Sequence, residues 1–96
     1  MNTQQGKALQ MFLMCSYAYY LLGRSLVPDE KFDKICVFLK DNWNSFEHQH
    51  KYLVTLEDLE AGTLYHLNDK DYPMVVKQAT YMRINEIENG VKPKEV

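Results

Sequence analysis

Basic residues form no block anywhere in this sequence, and a formal net charge of -2 leaves no electrostatic footprint for nucleic acid. Direct nucleic-acid binding is therefore not expected, and the acidity is too slight for a DNA mimic. Only four glycines are present; they are scattered and build no phosphate-cradling loop. No serine stands in a nucleophile elbow. Two cysteines do not make a disulfide framework. Cys15 and Cys36 lie among apolar neighbours and are expected as reduced, buried thiols. No apolar run reaches the roughly 18 residues that span a bilayer. The nearest, "MFLMCSYAYYLLG", follows no positive segment and ends in bulky residues where a cleavage site needs small ones. These absences point to the cytoplasm and to no membrane partner.

What is present is globular. Of the 96 residues, 46% are hydrophobic and 25% charged, the balance of a packed domain. A chain this short keeps much of its surface wet and is correspondingly marginal. One domain over residues 1–88 is expected, with "NGVKPKEV" at 89–96 as a flexible tail.

Read at 100° per residue, the chain is all-α: a small bundle built on an antiparallel hairpin. Between Lys7 and Leu22, Leu9, Phe12, Leu13, Ser16 and Tyr20 share one face. Met11, Met14, Ala18, Leu21 and Leu22 share the opposite one, so this helix should be covered on both sides. Gly23 ends it. The second helix opens at Pro28 with Asp29 and Glu30 at the positive end of its dipole. Its apolar stripe is Phe32, Ile35, Cys36, Leu39, Trp43 and Phe46, which extends the hairpin over 7–47. The few residues between force an antiparallel return. Thr55 and Asp58 resemble a capping box for a short helix over 55–61 that Gly62 stops. Asp71 reads as the N-cap of a C-terminal helix over 72–88, with Val75, Val76, Ala79 and Met82 on its inner side. That helix would cover the second face of the first.

Asp29 and Asp33 lie one turn apart at the edge of the second helix's buried face. Like charges at that spacing cost a few tenths of a kcal/mol. Periodicity alone fits two solvated N-terminal acids as well as it fits a ligand site.

A resemblance bears on the choice. "YAYYLLGRSLVPDEKFD", Tyr17 to Asp33, matches without a gap a pattern of Tyr-x-Tyr-His, a short turn and Pro-Asp-x-x-Tyr-Asp. "HKYLVT" at 50–55 matches its later His-Pro-x-Leu-hydrophobic-Thr segment, after about one extra helical turn. Residues 8–55 thus resemble the N-terminal helical domain of bacterial NAD-dependent DNA ligases. In that family the domain closes over the nicotinamide mononucleotide half of NAD. The resemblance implies Tyr19, Asp29 and Asp33 as ligand contacts, with Tyr20 where the family has histidine and Phe32 where it has a second tyrosine. NAD or nicotinamide mononucleotide would be the ligand, and no other cofactor is required. A cationic ring is attracted to an aromatic face, and carboxylates accept hydrogen bonds from hydroxyls or amides.

No Lys-x-Asp-Gly nucleophile occurs here, so the expectation is a non-enzymatic module, a small accessory protein of a kind viruses use in a host cytoplasm. Two alternatives stand beside it. A protein-interaction or inhibitor module would have lost the nucleotide; a trans-acting piece of a split ligase would need a separate catalytic chain. Seven tyrosines and five methionines suit contact surfaces. Tyr17, Tyr19, Tyr65, Tyr72 and Tyr81 could form such a surface for a protein partner or a second copy, or their rings could complete the core. Glu47, His48, His50 and His66 do not have the converging geometry a metal needs, and no metal site is expected.

Overall fold

The computed structural model describes residues 4–48, 50–61, 64 and 67–88. They form four α-helices and no strand: α1 (Gln4–Leu22), α2 (Asp29–Asn42), α3 (Leu56–Ala61) and α4 (Met74–Glu88). The all-α bundle follows from the periodicity, and α1 is its centre. It packs against α2 on one side and α4 on the other, while α2 also packs on α3. Seven successive residues, Phe12 to Ala18, are buried, as a helix covered on both sides requires. Gly23 takes the left-handed backbone (φ 68°), and the next amide, of Arg24, donates back to the Ala18 carbonyl at 2.9 Å. That turn sends the chain into α2, whose Phe32 ring stacks on Phe12 at 5.5 Å and 12°.

Two helix boundaries differ markedly from expectation. The helix expected to run through Glu47 stops at Asn42, and Trp43–Ser45 form a tighter 3-10 turn. Asn42 donates its side-chain amide to the Phe38 carbonyl, and the Ser45 hydroxyl donates to the Asn42 carbonyl; such local bonds compete with helix continuation. Thr55 and Asp58 do make a reciprocal capping box at 2.9 and 3.2 Å, so aspartate suffices there. Asp71 does not cap α4. It closes a capping box with Asn68 around a 3-10 turn at Asp69–Asp71, and α4 begins beyond Pro73, whose carbonyl accepts from the Val76 and Lys77 amides. Gly62, Tyr65, His66 and the 89–96 tail lie outside the described residues.

The inner face of α4 is also rotated from the expected one. Val76 and Thr80 are buried and Ala79 is partly so, whereas Val75 and Met82 face solvent. Thr80 is tolerated inside because its hydroxyl donates to the Val76 carbonyl at 2.7 Å.

Two of the tyrosines left open between contact surface and core are core. Tyr17 and Tyr72 are 1% and 2% exposed and meet edge to face at 5.0 Å. The Tyr17 hydroxyl donates to the Asp69 carboxylate, which Lys77 also contacts at 3.3 Å. The Asp69 carboxyl is held below its usual range chiefly by the Tyr17 hydroxyl and then by Lys77, against an opposing effect of burial. A carboxylate whose pKa is depressed on folding stabilises the fold above its unfolded value of 3.8, and that contribution is lost as pH falls through the folded value. Tyr17→Phe should therefore flatten the acid limb of the stability profile below that pH and lower stability at neutral pH. Urea midpoints measured across the acid range would test this; parallel profiles for the two proteins would refute it.

Candidate functional site

The end of α1, the loop that follows it and the first turn of α2 enclose a cleft of about 250 Å³. Its position follows from local chain geometry. Tyr19 and Tyr20 lie on the last turns of α1, and Gly23 reverses the chain within four residues of them. Leu26 is tucked into the core, which draws the loop down and leaves a hollow between it and the two tyrosines. Pro28 then opens α2, placing Asp29 at the rim and Phe32 one turn deeper.

Of the five residues singled out by the resemblance, Tyr19, Tyr20, Asp29 and Phe32 line this cleft. Tyr19 is 63% exposed, and its ring meets that of Tyr20 edge to face at 5.0 Å. Phe32 is partly buried against the core, backed by Phe12. Asp33 is not with them. It lines a second, shallower groove of about 180 Å³ between α2 and α3, with Cys36, Val37, Lys40 and Glu60. Four residues advance a helix by about 6 Å. That step carries Asp33 beyond the loop that closes the first cleft and towards α3. The expected convergence of both carboxylates with Tyr19 therefore does not occur. Compared with known proteins, the chain matches no family model, no curated protein and no solved structure.

Residues that periodicity did not single out as ligand contacts complete the cleft: Cys15, Ser16, Ser25, Leu26 and Val27. Among the described residues Asp29 is the one lining residue with a formal charge at neutral pH, so the wall is mostly aromatic and apolar, with two serines and a single negative rim. Lys31 lies near enough to lower the Cys15 pKa but does not line the cleft.

Both cysteines are free and buried. Burial pushes the Cys15 thiol up to about 11, with the neighbouring Cys36 adding to the rise. Burial and then Asp33 raise Cys36 to about 11 as well. A thiol this far above neutrality holds almost no thiolate and is a poor nucleophile. Burial, and then His50, lower the His48 pKa, and the His50 amide donates to His48 Nδ1 at 3.1 Å. These two histidines brace a turn, and among the described residues no group of three His, Cys, Asp or Glu could hold a metal.

Proposed function

We propose that this chain is a non-catalytic helical module that holds a flat nicotinamide-type ligand in the α1–α2 cleft. The observation that carries the reading is the gathering of Tyr19, Tyr20, Asp29 and Phe32 around one hollow. Aromatic faces attract a cationic pyridinium, and the Asp29 carboxylate accepts from a ribose hydroxyl or an amide. The departure of Asp33 halves the carboxylate set that the ligase resemblance implies. Size narrows the ligand further. Sites for drug-sized molecules run from roughly 300 to 1,000 Å³, so a cleft of about 250 Å³ suits a ring with its sugar and not a whole dinucleotide.

Calorimetric titration with nicotinamide mononucleotide should give saturable binding. Tyr19→Ala should weaken it by about 3- to 30-fold, the span of one cation–π contact. Asp29→Asn should weaken it as well, while Asp33→Asn leaves it unchanged. No heat at millimolar ligand with the helical content intact would remove the reading. The outward face of α4, where Met74, Tyr81 and Met82 are more than half exposed, would then be the feature favouring a protein-contact module.

A further inference from the structure

Among the described residues, two aliphatic hydroxyl side chains, Ser16 and Thr80, are buried in helices, and they are treated differently. Thr80 is fully enclosed and donates to the carbonyl one turn back, the usual way a helical hydroxyl satisfies itself. Ser16, only 2% exposed, has no hydrogen-bond partner among the described residues. A buried polar group left unpaired is destabilising, and an alanine at the middle of α1 would be the better helix former. Yet Ser16 stands in the wall of the one cleft that Tyr19, Tyr20, Asp29 and Phe32 share. It lies one turn before Tyr20 and beside Cys15, on the deep side of the hollow, while Tyr19 and Asp29 are exposed at its mouth.

The electrostatics of the wall restrict what could pair with it. Among the described residues no basic side chain lines the cleft, and Asp29 adds a negative charge. A phosphate or carboxylate would lose its hydration there without a compensating cation. A cationic or neutral aromatic ring would be attracted to the tyrosine faces and to Asp29.

We propose that Ser16 is the specificity-determining residue of this cleft, donating its hydroxyl hydrogen to the carbonyl of an aromatic carboxamide cation whose ring lies against the tyrosines. Any phosphate the ligand carries stays outside the mouth. This rests on the cleft being a ligand site and adds which part of the ligand is read and by which atom. A neutral hydrogen bond in a buried setting corresponds to about a tenfold difference in affinity.

The test compares 1-methylnicotinamide with 1-methylpyridinium, two cations that differ by the carboxamide, by calorimetry or saturation-transfer NMR on the full chain. The unaltered protein should bind 1-methylnicotinamide about tenfold more tightly, and Ser16→Ala should abolish that preference while leaving 1-methylpyridinium binding as it was. The thermal midpoint of Ser16→Ala should be unchanged or raised, because no internal partner is lost. A preference that survives in Ser16→Ala, or a midpoint that falls by several degrees, would overturn the assignment. Silence from both probes would overturn the cleft as a ligand site and the assignment with it. Binding of both without discrimination would sink the Ser16 role alone.

Discussion

Replacing Phe12 with alanine should lower the unfolding free energy by about 3–5 kcal/mol, more than the loss of any side chain that lines the cleft. Phe12 is fully buried on the α2-facing side of α1, and its ring carries the stack with Phe32 that holds the hairpin together. Removing it strips a large apolar group from the buried cluster and leaves a cavity that a close-packed core fills only in part. Domains of this kind have only about 5–15 kcal/mol in total, so the variant should melt far below its parent. Phe32→Ala should cost less, since Phe32 is only partly buried at the cleft wall. Asp29→Asn, at an exposed site, should change stability by under about 1 kcal/mol. Denaturant melts of the three variants give the order; a Phe32 effect larger than that of Phe12 would misplace the centre of the core.

The second large effect is expected at Lys51, a residue whose charge would ordinarily place it in solvent. Its ammonium donates to the Trp43 carbonyl and, at 2.7 Å, to the Phe46 carbonyl, and it lies 4.8 and 4.7 Å from the centroids of the two rings. These carbonyls belong to the turn where the chain leaves α2, so Lys51 supplies the donors that a continuing helix would have given one of them. Lys51→Met keeps the stem and removes the charge. Two charge-assisted bonds and a cation–π contact are then lost, for about 2–3 kcal/mol after relaxation. Trp43 is the only tryptophan, so its fluorescence should shift in the folded variant. A midpoint change under about 0.5 kcal/mol, with emission unaltered, would assign Lys51 to the ordinary solvated surface.

Particular residues explain what the sequence revealed and what it hid. The α2 stripe was legible because Phe32, Ile35, Cys36 and Leu39 fall at helical spacing, even though Val37 and Phe38 add apolar residues off the stripe. The end of α2 was not, because Trp43 and Phe46 continue the same phase after the helix has stopped. Only the short-range bonding of Asn42 and Ser45 marks the break, and asparagine and serine also occur inside helices. On α4 the apolar residues Met74, Val75, Val76, Ala79, Met82 and Ile84 surround much of the axis, so periodicity could not select the inner face. The set Tyr19, Tyr20, Asp29, Phe32 and Asp33 came from the resemblance, since periodicity alone fitted two solvated acids as well. Asp33 parted from them because the position of α3 against α2 is a tertiary fact that hairpin spacing does not contain. Ser16 read as one more inward residue; only the packed structure distinguishes a hydroxyl with a partner from one without.

The central position of α1 has a consequence for how this protein can be divided. The α1–α2 hairpin ends well before residue 55, yet Tyr17 and its neighbours are roofed by α4, which the chain supplies only after residue 73. An excised hairpin would present an oily flank to water and would tend to self-associate. The two halves of the chain are thus bound to a common fate: whatever the cleft does, it does on a platform that α4 completes.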